Sequence, residues 1–194
     1  MEKTWKSFSI ADSFGSFLPA PCTLGSDEAR DKKYRWYGRD RSGSAGVVVF
    51  QYSLSGEGRI AISEKEHRVC AGSGFLCRIY DPRIVYYYPE EAKEPWQFVY
   101  LVFKNAMDWV DSLNRDAGYV FKLQPDCQYL RRTSVLLDQP GANIKISAAE
   151  GLELVSQLFS DICRARDLGV EVSRSRLLAE KAAARMRDRV ESSD

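Results

Sequence analysis

The sequence predicts a mainly β protein, an antiparallel sandwich or barrel followed by C-terminal α-helices, and three observations carry that prediction. Between residues 43 and 103 short apolar runs alternate with turn clusters: AGVVVFQYSL, SGEG, RIAI, SEKE, HRVC, AGSG, FLCRIY, DPR, IVYYY, PEEAKEP and WQFVYLVF. Val, Ile, Phe and Tyr suit pleated strands, while Gly, Pro, Ser and Asp supply tight turns, so this spacing reads as antiparallel strands. From Ser147 the apolar period changes from two to a helical one. The run WQFVYLVF is apolar on both faces, which requires cover on both sides.

The elements follow in order. Residues 1–33 mix Ser, Gly, Pro and charge with isolated aromatics and are expected to form an N-terminal arm, either an ordered flap or a mobile segment. In the first strong strand Val48, Phe50, Tyr52 and Leu54 share one side and Val47, Val49, Gln51 and Ser53 the other; the first side is larger and more aromatic. In WQFVYLVF, Trp96, Phe98, Tyr100 and Val102 oppose Gln97, Val99, Leu101 and Phe103, so one set should line the barrel and the other pack beneath helices. Short helices are expected over residues 106–113 and 127–137, with QPGAN as a loop. Ser147 with Glu150 three residues on forms a capping box, and Gly169 supplies a stop. Between them Leu152, Val155, Phe159 and Ile162 recur at helical spacing, widened by Leu154, Leu158 and Ala165. A second helix over residues 173–190 has a sparse apolar stripe of Leu177, Leu178, Ala182, Met186 and Val190.

Composition removes several functions. A chain of 194 residues buries a sizeable core and fits one domain with an appendage. A formal net charge of +1 gives no field able to hold nucleic acid by phosphate neutralisation alone. No apolar run approaches the roughly 18 residues of a membrane helix, and MEKTWKSFSIADSFG lacks the apolar core of a secretory signal, so a cytoplasmic protein without a membrane partner is expected. Five scattered cysteines fit reduced thiols; for Cys70 and Cys77 burial as small hydrophobes is the favoured reading and a pair the alternative. The single histidine, His67, beside a polar turn, leaves neither a histidine-rich metal site nor Ser–His–Asp or Cys–His catalysis. SGEG and AGSG are turn glycines, not phosphate loops, and Glu90, Glu91 and Glu94 read as solvated loop carboxylates. No enzyme activity and no cofactor is expected.

The order and spacing of "FQYSLSGEGRI", "HRVCAGSGFLCRIYDP", "IVYYYPEE" and above all "PWQFVYLVFKNAMDWVDSL" resemble the N-terminal effector-binding and dimerisation domain of AraC-type transcription regulators, over residues 34–113. One departure stands at Pro82, Arg83 and Ile84, where that family often carries histidine. The resemblance implies a cupin-like jelly-roll or double-stranded β barrel over residues 34–138 enclosing a small effector, with the arm at its mouth. It implies that residues 139–169 supply a loop and a helix that pairs with its copy in a homodimer, through Leu154, Val155, Leu158, Phe159, Ile162 and Ala165. Residues 170–194 then look like the linker helix opening a helix-turn-helix domain, through which alone DNA would be bound and whose remainder is not in this sequence.

Candidate effector-binding residues are Trp36, Phe50, Tyr52, Arg78, Tyr86, Tyr88, Phe98 and Tyr100. Tyrosines in an apolar concavity offer area together with a hydroxyl that orients a ligand. Each taken singly also fits the role of barrel filler, while the number of hydroxyls to be satisfied argues for a pocket. Arg78, like Arg35 and Arg39, would select an anion if it pointed inward and would be a solvated surface residue if not. Two alternatives remain: a metal-dependent cupin-type enzyme and a standalone small-molecule-binding dimer.

Overall fold

The computed structural model describes residues 3–11 and 16–167; the linker helix expected over residues 170–194 lies outside them. The strands are β1 (Thr4–Ile10), β2 (Ala20–Ala29), β3 (Arg35–Tyr37), β4 (Val47–Ser55), β5 (Glu57–Ile62), β6 (Lys65–Cys70), β7 (Ser73–Arg78), β8 (Ile84–Tyr87), β9 (Trp96–Lys104), β10 (Val120–Lys122) and β11 (Asn143–Ile146). Helices α1 (Met107–Ala117) and α2 (Gln128–Asp138) follow the main strands, and α3 covers residues 148–167.

Two sheets form, one of seven strands in the order β10-β7-β4-β9-β2-β1-β11 and one of four in the order β3-β8-β5-β6. The chain crosses between them from β4 to β9, which gives the jelly-roll-like, cupin-like layering. Between the sheets lies one core, with Val49, Phe75, Cys77, Trp96 and Phe98 facing Ile60, Val69, Ile84, Tyr86 and Tyr88. A second core lies outside the large sheet, where Leu24, Val48, Phe50, Leu76, Leu101 and Phe103 pack under α1, α2 and α3. The two-faced apolarity of β9 follows, since it sits mid-sheet between β4 and β2 with a core on each side. Each fully buried Phe, Leu or Val contributes about 1.5–3 kcal/mol against the cost of ordering the chain.

Residues 3–11 and 16–33 depart from the expected arm. β2 pairs along its whole length with β9, from Ala20 opposite Lys104 to Ala29 opposite Trp96, and β1 joins β2 antiparallel and β11 in parallel. These strands were hidden because their partners are distant in sequence and half their side chains are polar. The capping box is present: Glu150 accepts from the Ser147 backbone N–H at 2.8 Å, and the Ser147 hydroxyl accepts from the Glu150 N–H at 3.2 Å. Leu154, Val155, Leu158 and Ile162, expected at a subunit interface, are buried within this chain against the outer core. Phe159 and Ala165 are part-buried against the same core, so one chain already satisfies the stripe. Among the described residues no helix is long and apolar enough to cross a membrane.

Candidate functional site

Inward-facing side chains of β2, β4, β8 and β9 leave a cavity of about 280 Å³ between the sheets. Val49 and Gln51 of β4 and Phe98, Tyr100 and Val102 of β9 form its floor, with Asp27 of β2 at one side. Tyr86 of β8, Trp36 of β3, Tyr34, Ile79, Arg41 and Lys3 complete the lining. The loop with Arg41 is shaped by two single-turn 3-10 helices, Gly38–Asp40 and Ser42–Ser44.

Rings set the walls. Tyr34 meets Phe98 with centroids 5.2 Å apart, Trp96 edge-on at 5.7 Å and Trp36 edge-on at 6.3 Å. Tyr100 continues the row from Phe98 at 6.4 Å. Its phenol has room because β2 carries Gly25 opposite, where a Cβ would stand 2.5 Å from the Tyr100 hydroxyl.

Polar groups are few and mostly held. The Tyr34 hydroxyl donates to the Gln51 side-chain oxygen at 3.2 Å, while the Gln51 Nε2 has no partner although the residue is only 2% exposed. Turning the amide over would leave its oxygen unpaired instead, so one buried polar atom of Gln51, a residue that lines the cavity, is unsatisfied in either orientation. At the rim the Arg41 guanidinium lies over the Trp36 ring at 4.5 Å and donates to the Tyr86 hydroxyl at 3.3 Å. Lys3 and Asp27 form an ion pair at 2.6 Å. Burial pushes the Tyr34 phenol well above its usual range, with the nearby Tyr86 adding to the effect; burial also raises Tyr86, and it raises Tyr100 with help from Asp27. All three therefore stay protonated at neutral pH, available both to donate and to accept.

The site thus gathers four expected residues: Trp36, Tyr86, Phe98 and Tyr100. Tyr88 belongs to the same inner layer, but its hydroxyl reaches the Glu94 carbonyl at 2.9 Å and the Ala92 carbonyl at 3.3 Å, tying down the loop before β9. Phe50 and Tyr52 are corrected to the opposite face. Phe50 packs edge-on against Tyr129 of α2, and Tyr52 borders a separate groove of about 850 Å³ between the large sheet and α2. The larger side of β4 is the one under the helices, so side-chain size did not mark the interior. The groove's one charged lining group is Asp138, with no buried amide to orient a ligand, which is why the smaller cavity is the better candidate. Arg78 is likewise corrected: it points outward to α1 and forms a bidentate pair with Asp111, its Nε at 2.8 Å from Oδ1.

Sequence reasoning missed Lys3, Asp27, Tyr34 and Arg41 as lining residues and placed Gln51 on the other side of β4 without a role. Gln51 had a signal, a lone amide in a mainly apolar strand; Arg41, in a Ser/Gly-rich loop, had none. His67 is exposed on β6, and among the described residues no group of three or more His, Cys, Asp or Glu side chains is placed to hold a metal ion.

No family model matches the chain, and no curated protein matches it. Among solved structures it is similar to ToxT from Vibrio cholerae, at 10% identity over 72% of this chain and 55% of that one, with a TM-score of 0.41. It is similar to the protein YhaK from Escherichia coli, at 17% identity over 53% of this chain and 44% of that one, with a TM-score of 0.39. The Cupin_2 domain of an XRE family transcriptional regulator from Enterobacter cloacae matches at 15% identity over 53% of this chain and 96% of that domain, with a TM-score of 0.35. Likenesses this distant transfer no residue role and no activity to this chain.

Proposed function

We propose that this chain is the effector-sensing and dimerisation part of an AraC-type transcription regulator, binding a small molecule between its two sheets to control attached DNA-binding domains. The observation that carries the reading is the ring-lined cavity with the unsatisfied Gln51 amide, since a buried polar atom without a partner is costly unless a ligand or water supplies one. The same β4 and β9 that line the cavity carry the helical layer on their outer faces, through Phe50 against Tyr129 and Phe103 against Phe159. A ligand that favours one packing of this layer over another would bias whatever the helices position. With Leu154 and Leu158 committed inside the chain, the surface for a twofold mate centres on half-exposed Trp109, stacked edge-on against Phe159 at 5.3 Å.

Native mass spectrometry of the purified chain tests this. The expected spectrum is a metal-free dimer, with or without an added organic mass, and Trp109→Ala should shift it toward monomer. A monomer carrying stoichiometric metal would overturn the reading and favour a cupin-type enzyme.

A further inference from the structure

We infer that the ligand of this cavity is a small organic carboxylate with a flat ring body and a second polar group at its far end; the inference rests on the cavity being a small-molecule site. Among the described residues Arg41 forms no ion pair, although it lines the cavity. Its guanidinium is fixed on one side by the Trp36 face and on another by the Tyr86 hydroxyl, which leaves further N–H donors of the five for an incoming acceptor. A guanidinium immobilised in this way has lost its rotamer freedom before binding and matches the two oxygens of a carboxylate.

The surrounding charges agree. Asp27, the one acidic lining residue, is neutralised by Lys3, and nearby Asp81 is held by Arg83 at 2.7 Å. Lys3, Arg41 and Asp27 together leave the rim with one net positive charge, which disfavours a cationic guest. The space selects for size: about 280 Å³ is at the small end of ligand pockets, which run from about 300 to 1,000 Å³, so a single-ring molecule is the natural occupant. Tyr34, Trp36 and Phe98 offer faces and edges to such a ring. Gln51 lines the cavity with one amide atom left unpaired, and a hydroxyl satisfies that amide in either orientation.

The test uses three probes on the 194-residue chain: 4-hydroxybenzoate, its uncharged counterpart 4-hydroxybenzamide, and benzoate, titrated by calorimetry at fixed moderate salt. The acid should bind at least about tenfold tighter than the amide and tighter than benzoate. Arg41→Leu should bring acid and amide within about twofold, whereas Arg39→Leu, an exposed neighbour, should leave the preference intact. Gln51→Leu should erase the advantage over benzoate. Equal binding of acid and amide by the unaltered chain would overturn the anionic class while leaving a small-molecule site in place. Absence of binding by all three probes would overturn the inference as a whole. Tight binding indifferent to both Arg41→Leu and Gln51→Leu would move the ligand out of this cavity and take the proposed function's site with it.

Discussion

Ser53 joins two buried polar groups: its hydroxyl accepts from the Trp96 indole N–H at 2.7 Å and donates to the Val69 carbonyl at 3.0 Å. Ser53 and Trp96 are both fully buried, so neither can turn to water instead. Ser53→Ala is expected to lower stability by about 1–3 kcal/mol, because it strands an indole donor and a carbonyl together. Urea unfolding measures this, and an unchanged midpoint would mean that another partner takes over both groups. Gly58 faces the same indole so closely that a Cβ there would fall inside the ring's contact distance. Gly58→Ala should therefore cost about 3 kcal/mol or more, at the upper end for overpacking, and show as a lost fold or a strongly reduced urea midpoint. The indole thus needs an absent side chain on one side and a hydroxyl on the other, and both requirements stand in the sequence only as an ordinary glycine and an ordinary serine.

At the level of elements, the start of α3 was readable to the residue because its signals are local, while the stop expected at Gly169 lies outside the described residues. The cap and the apolar stripe lie within one stretch of chain, and the reciprocal Ser147 and Glu150 hydrogen bonds form as the spacing requires. Ser147→Ala should lower Tm by about 2–4 °C, measured by circular dichroism. What the stripe touches was not readable, since a helix face that needs cover is the same whether a sheet or a second subunit provides it. Leu158 decides the matter: with the side chain fully buried in the chain, Leu158→Ala should cost about 2–5 kcal/mol of fold stability at every protein concentration, rather than only weaken a dimer. Arg59 of β5 shows the same limit for charges. It gathers Glu57 at 2.7 Å, Glu91 at 2.9 Å and Glu66 at 3.2 Å, so that Glu91, read from sequence as a solvated loop carboxylate, helps fasten its loop to the small sheet. Arg78 found its acid 33 residues away on α1, beyond the reach of any pattern in the strand itself.

Across the whole molecule, ionisation sets limits at both ends of the pH scale. Gln97 hydrogen-bonding to Glu28, helped by Arg30, holds that carboxyl down at about 2, and Arg83 holds Asp81 below its ordinary value. Burial works against Glu57 ionising, yet the hydrogen bonds from Arg68 and Arg59 outweigh it and its value is also lowered. A lowered folded value means stability that is full above the ordinary carboxylate range and is lost as pH falls through the folded value. Burial raises the Cys77 thiol and the Tyr34 and Tyr86 phenols, so their share is full below their ordinary values and is lost as pH climbs past them. Urea midpoints should accordingly be level from about pH 5 to pH 8, falling on the acid side toward about 2 and on the alkaline side from about 9 upward. An alkaline limb that begins no earlier in Cys77 than in a Cys77→Ala variant would assign that loss to the tyrosines alone. The parallel seam between β1 and β11 has a consequence in time as well as in space. Ser7 and Asn143, 136 positions apart, must meet before the rim of the large sheet is sealed. A nascent chain emerging from the ribosome therefore keeps that strand edge open until residue 146 has been made, and chaperone dependence in the cell should track how fast translation passes residue 146.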